Sequence, residues 1–161
     1  IQEHGFELPP DFLSYLLQVK EIERAMLADP LAPPSVPCHN DLAPENMLEN
    51  EQKLILVDFD YSGNNDPCFE LGNFWVQMNY NDAQLRQLVG AYFGEVTASK
   101  LARTQLHGLM CDVGWTLWCV IQAKASNIGF DFWEYAIRRW TRAVQKMESA
   151  EFENWLKTVF G

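Results

Sequence analysis

Basic residues are scarce: 12 Lys and Arg stand against 22 Asp and Glu in 161 residues, a formal net charge of −10. That balance excludes the basic surfaces that nucleic acid and anionic membranes require, so neither is expected as a partner. A polyphosphate could be held only if a divalent metal cancelled nearby carboxylates and basic groups came from elsewhere. There is no run of about 18 apolar residues to span a bilayer, and no charged leader ahead of an apolar segment. A soluble, cytoplasmic protein is expected. The four cysteines, Cys38, Cys68, Cys111 and Cys119, form no C-x-x-C pair, which leaves zinc spacing unmet and predicts reduced, mostly buried thiols. No internal repeat, low-complexity tract or second domain interrupts the chain, whose length is that of about one domain.

What the sequence does have is apolar and aromatic bulk. Hydrophobic residues make up 48%, with six Trp, ten Phe and five Tyr. In residues 9–29, Phe12, Leu13, Leu16, Leu17, Met26 and Leu27 recur at helical spacing after a proline start, and Pro30 ends the pattern. Residues 30–37 carry four prolines and predict a rigid extended connection. Short aliphatic runs at 35–38 and 54–57 predict strands, paired as a small hairpin-like unit with a polar turn at 49–52. Beyond Gly63 the periodicity is helical, predicting helices near 67–79, 82–93, 97–126, 130–148 and 149–159. Asn81 and Thr97 are candidate N-caps, and Gly94 and Gly129 candidate stops.

Polar residues crowd where the two strands end. CHNDLAPENML, residues 38–48, and LILVDFDYSG, from residue 54, place His39, Asp41, Asn46, Asp58 and Asp60 around one turn. Buried carboxylates and amides must be paired or metal-bound. For Asp41 and Asn46 alone, the simplest reading is capping of backbone groups in a polar turn. The linked spacing is more telling: H-x-D-L-x-x-x-N, then D-F 12 residues after Asn46, is the spacing of the catalytic and metal loops of protein-kinase-like phosphotransferases. Phosphoryl transfer accounts for the residue types. One carboxylate, Asp41, orients and deprotonates a hydroxyl, while Asn46 and Asp58 hold Mg²⁺ on the phosphates of ATP.

Within that superfamily, HNDLAPEN and DFDYSGNNDPCFELGNF resemble the choline/ethanolamine kinase and aminoglycoside phosphotransferase group, over residues 36–140. The resemblance implies an α+β, predominantly helical fold: the C-terminal lobe of a protein-kinase-like enzyme, with a small β insertion carrying the catalytic and metal loops. It also extends into GWTLWCVIQAKASNIGFDFWEY, similar to the choline kinase segment in which two Trp and a Tyr box a quaternary ammonium. The matching residues are Trp115, Trp118 and Tyr135. Trp residues three apart share a helix face, though aromatics at that spacing are more often core. The resemblance further assigns Asp60, Gln77 and Tyr80 to the substrate side, and His39 and Glu70 to support of the loop. Gln77 stands where choline kinases commonly carry a carboxylate.

A Gly-rich loop and a V-A-I-K-like strand, which cover ATP in such enzymes, are not found in the sequence. The expectation is therefore a single domain over residues 1–161 that supplies base, metal ligands and alcohol site, with an N-terminal nucleotide lobe elsewhere in the same polypeptide. The leading expectation is an ATP- and Mg²⁺-dependent kinase for choline or a similar amino alcohol. The alternatives are a kinase for an aminoglycoside, ethanolamine, thiamine or a sugar, and a non-catalytic amine-binding module.

Overall fold

The computed structural model describes residues 5–160. Pro9 and Pro10 do not open a helix directly. Asp11 takes a left-handed conformation (φ 58°), a 3-10 turn spans Phe12–Tyr15, and only then does α1 run over Leu16–Ala28. Four short strands follow: β1 Val36–Cys38, β2 Met47–Asn50, β3 Lys53–Leu56 and β4 Gly63–Asn65. The helical body comprises α2 Pro67–Gln77, α3 Asp82–Phe93, α4 Ala98–Ala125, α5 Phe132–Met147 and α6 Phe152–Phe160.

The expected hairpin between residues 35–38 and 54–57 does not form. β1 pairs instead with β4, setting Val36 against Asn65 and Cys38 against Gly63. β2 pairs with β3, setting Met47 against Leu56. The polar turn is real, but it closes β2 onto β3, two strands of which one is too polar (MLEN) to stand out as a strand. The pairings are nested, so the segment leaving β1 and the segment leaving β3 meet between the two ribbons. That topology brings the two candidate loops together.

Local chemistry fixes the helix ends. Asp66 caps α2, its carboxylate accepting from the Cys68 amide at 2.7 Å, with Pro67 in the first turn. Asn81 and Gln84 form a reciprocal capping box at α3, which ends at Gly94 with φ 75°. Thr97 caps α4. Gly129 is not the stop between α4 and α5, because α4 ends at Ala125 and the Asp131 side chain caps α5 by accepting from the Glu134 amide at 2.8 Å. Residues 126–131 are thereby left as a connection.

α4, 28 residues or about 42 Å long, is the axis of the core. One face joins α1, α5 and α6 through Ile22, Leu106, Leu109, Trp140 and Val159. Another joins α2 and α3 through Leu71, Trp75, Leu85 and Val89. α2 approaches α4 at backbone distance. A Cβ on Gly72 would lie 2.6 Å from the Gly108 nitrogen and 2.7 Å from the Thr104 carbonyl, and one on Gly108 would lie 2.7 Å from the Trp75 ring. Only glycine fits there. All four cysteines are free and buried, and burial pushes the Cys68 thiol up to about 12 and the Cys119 thiol up to about 11. No helix among the described residues is long and apolar enough to cross a membrane.

Candidate active site

The segment after β1 is held from below by α2. The Glu70 carboxylate accepts from the backbone amide of His39 at 2.7 Å and from that of Asn40 at 2.9 Å. Asn40 sits at φ 65°. Its side chain donates to the Tyr61 carbonyl at 2.9 Å and accepts from Asn65 at 2.9 Å, tying this segment to the one after β3. His39 is buried and bridges the same gap: Nε2 donates to the Val57 carbonyl at 2.8 Å, which fixes the tautomer, and its ring meets Phe59 at 4.6 Å between centroids. The buried Nδ1 of His39 has no hydrogen-bond partner among the described residues.

Asp41 and Asn46 face each other across the loop. The Asn46 amide nitrogen donates to the Asp41 carbonyl at 3.0 Å and to its carboxylate at 3.3 Å. Burial pushes the Asp41 carboxyl up from the ordinary aspartate range; His39 and the Asn46 hydrogen bond oppose that rise, and the Asp58 charge adds to it. The Asn46 carbonyl accepts from the Val57 amide at 3.0 Å, which extends the β2–β3 ladder by one pair and delivers Asp58 beside Asn46. Asp58 is exposed at φ 64°, a left-handed conformation that aspartate and asparagine adopt more readily than other non-glycine residues.

The donor set fits Mg²⁺. With its nitrogen engaged by Asp41, Asn46 has its side-chain oxygen free of hydrogen bonds among the described residues, and the Asp58 carboxylate has no ion-pair or hydrogen-bond partner there. Mg²⁺ takes one or two such protein oxygens and completes its shell with water and phosphate, so it does not require the cluster of three His, Cys, Asp or Glu residues that is absent among the described residues.

A cavity of about 420 Å³ opens beside Asp41, and Gln77, Trp115, Trp118 and Tyr135 also line it. Trp115 and Trp118 meet edge to face at 5.6 Å, and Trp118 meets Phe132 at 5.7 Å. Five residues singled out from the sequence thus share one wall system. Two others do not join it. Asp60 is exposed after β3, and Tyr80 packs edge-on against Phe74 while its carbonyl accepts from the Trp75 indole at 2.7 Å. Three apolar residues missed in the sequence, Ile128, Phe130 and Phe132, complete the rim. Phe130 was expected to open α5, but α5 starts at Phe132, which leaves Phe130 with Ile128 in the connection. Tyr61 stands edge-on to Trp115 at 6.1 Å, and its place next to the D-F-D run was the available signal for it.

Behind the cavity lies an ionic cluster that the sequence did not announce. Asp112 of α4 is fully buried and bound by Arg139 at 3.2 Å, by Arg142 Nε at 2.8 Å and by Lys146 at 3.1 Å, all from α5. A buried carboxylate with this many partners is costly to unpair. Arg139 also donates to the Gln77 side-chain oxygen and to the Tyr135 hydroxyl. The cluster therefore sets the position of two cavity walls.

The family model for choline/ethanolamine kinase matches residues 8–89. Human ethanolamine kinase 1 is 32% identical over 155 residues, covering 80% of this chain and 34% of that protein. The crystal structure of a choline/ethanolamine kinase family protein from Mesorhizobium loti matches with a TM-score of 0.87 at 35% identity, over 96% of this chain and 52% of that one. LicA in complex with AMP matches with a TM-score of 0.72 at 26% identity, over 91% of this chain and 48% of LicA. The helical body with its nested ribbons is the C-terminal lobe of a protein-kinase-like fold. The chain belongs to the choline/ethanolamine kinase family, and it spans between a third and about half of the length of these relatives.

Proposed function

We propose that this chain is the acceptor-binding and catalytic part of a kinase that transfers the terminal phosphoryl group of ATP, with Mg²⁺, to the hydroxyl of choline or a similar small amino alcohol. The observation that carries the reading is the shared cavity: Asp41 lines the same space as Trp115, Trp118 and Tyr135. A cation seated against those rings is attracted by their negative faces, and its hydroxyl arm can reach toward Asp41. The apolar lining suits a trimethylammonium, which offers no hydrogen bonds, better than a polycationic aminoglycoside.

In this reading Asp41 orients the hydroxyl and takes its proton as the bond to phosphorus forms. Its carboxylate is kept partly out of water, which strengthens it as a base, and the Asn46 amide fixes its direction. Asn46 and Asp58 would hold Mg²⁺, which when bound neutralises charge developing on the phosphates. Glu70 and His39 keep the loop rigid by holding its backbone and its neighbour strand. The residues that cover the nucleotide are proposed to lie outside this chain, in keeping with the share of its relatives' length that it spans.

The test is phosphoryl transfer by the polypeptide that carries this chain, using labelled ATP and MgCl₂ against choline, ethanolamine, thiamine and an aminoglycoside. Choline is expected to be the best acceptor, and Asp41→Asn to lower turnover about 10²- to 10⁴-fold without changing the melting temperature. Transfer to none of the amino alcohols, or near-normal turnover with Asp41→Asn, refutes the assignment.

A further inference from the structure

Four of the chain's 12 basic residues fall within residues 138–146 of α5: Arg138, Arg139, Arg142 and Lys146. In a chain of net charge −10 this concentration needs a reason. Asp112 accounts for part of it, but one carboxylate binds three of these cations, and the fourth, Arg138, has no carboxylate partner among the described residues. Arg138 is exposed, and its guanidinium lies over the Tyr135 ring at 4.8 Å.

The three arginines border a second cavity, about 610 Å³, lined by Arg138, Arg139, Arg142, Asn79 and Gln145 among others. Its hydrogen-bonding inventory is lopsided. None of the five N–H donors of the Arg138 guanidinium is bonded, and the side-chain amides of Asn79 and Gln145 have no partner either, among the described residues. Asn79 is held at φ 55° at the end of α2. Among the described residues, Glu45 is the only carboxylate on the wall. A space edged by surplus positive charge and unused donors is matched by a ligand that brings negative charge and acceptors. Glu45, Gln77 and Tyr135 line this cavity and the aromatic one alike, so the two are adjoining spaces.

We propose that the Arg138 cavity is an anion subsite, taking a carboxylate or phosphate group, that adjoins the amino-alcohol cavity. Its place beside an acceptor rests on the proposed function, but the charge and donor arrangement does not. Two guanidiniums already lie over the Tyr135 ring, Arg138 at 4.8 Å and Arg139 at 4.9 Å, so positive charge is concentrated at the wall the two cavities share. The anion can be carried by the acceptor itself, making the preferred substrate a zwitterionic amino alcohol, or it can be a separate small anion.

The experiment measures binding to the polypeptide that carries this chain by calorimetry with three probes: inorganic phosphate, choline, and carnitine, which joins a trimethylammonium and a hydroxyl to a carboxylate. Variants are Arg138→Gln, which removes the charge at an exposed helix position, and Arg138→Lys, which keeps it; thermal melts establish that both remain folded. Phosphate binding is expected to weaken roughly threefold to tenfold in Arg138→Gln and to fall with added NaCl, with Arg138→Lys retaining most of it. If carnitine binds more tightly than choline and Arg138→Gln removes that preference, the anion belongs to the acceptor. If Arg138→Gln weakens phosphate while carnitine has no advantage, the subsite serves a separate anion. If neither phosphate nor carnitine responds to either variant, the subsite is overturned, and choline binding that persists in the same series leaves the amino-alcohol reading standing. Phosphate binding that depends on Arg138 in a chain that does not bind choline upholds the subsite and overturns the amino-alcohol reading.

Discussion

Trp118 lines the aromatic cavity and packs against the core beside it, so replacing it separates the proposed charge recognition from packing. Its ring has two edge-to-face partners, Trp115 at 5.6 Å and Phe132 at 5.7 Å. Each such pair is worth about 0.5 to 1.5 kcal/mol. Trp118→Leu is therefore expected to cost about 1 to 3 kcal/mol of stability, a fall of several degrees in melting temperature for a chain of this size. Loss of affinity alone would not prove a cage, because a loosened cavity binds everything less well. The charge-specific part is the additional cation–π attraction, about 0.5 to 2 kcal/mol, or roughly twofold to thirtyfold in affinity. It is read by comparing choline with 3,3-dimethyl-1-butanol, which has the same shape without the charge. Binding of both to the 161-residue chain, wild type and Trp118→Leu, is measured by calorimetry at one ionic strength. The expected result is a choline loss that exceeds the loss for the neutral alcohol by that factor. Equal losses would refute the cage and reduce Trp118 to a packing residue, taking with it the main support for a quaternary ammonium.

Glu70→Gln leaves one carboxylate oxygen's role to an NH₂ group facing a backbone N–H, so urea denaturation should show about 1.5 to 3 kcal/mol lost, with turnover falling as the Asp41 loop loosens; unchanged stability would show that the His39 and Asn40 amides find other partners. Gly72→Ala places a methyl 2.6 Å from the Gly108 nitrogen and should cost about 1 to 3 kcal/mol or more by thermal melt, whereas Gly114→Ala, where nothing lies within 4 Å, should stabilise α4 by about 0.5 to 1 kcal/mol; equal effects would refute the close approach. Asp66 provides a pH dependence. Burial raises its carboxyl, but the nearby His107 ring and the Arg103 guanidinium at 2.6 Å more than reverse this and hold it at about 2. A depressed folded value stabilises above the unfolded value of about 3.9 and is lost as pH falls toward 2, so about 2 to 3 kcal/mol of stability should disappear across that window. Denaturation at pH 7 and pH 2.5 checks it, and an Asp66→Asn variant with the same pH slope as wild type would contradict it.

Much of this protein could be read along the chain. Helices α2 to α4 and their caps at Asn81 and Thr97 were legible because capping and 3.6-residue periodicity are local properties, settled by residues within one turn of each other. The linked spacing of Asp41, Asn46 and Asp58 was legible for a similar reason: each lies within a few residues of a strand end. Strand partners were not. Val36–Cys38 pairs with Gly63–Asn65 across a nested ribbon, a choice between sequence-distant edges that three-residue segments of such composition cannot specify. The start of α5 turned on a cap at Asp131, and that cap left Phe130 on the cavity rim instead of in the helix. Asp112 looked like one more acidic residue on a long helix. Its burial under Arg139, Arg142 and Lys146 follows from the crossing of α4 and α5, where a single carboxylate became the common partner of three cations and fixed Gln77 and Tyr135 in place. The sequence by itself determined which residues could carry the chemistry, since residue type and local spacing suffice for that. Only the tertiary structure decided which of them share a cavity, because that depends on long-range packing that brings β1, β3, α2, α4 and α5 to one point.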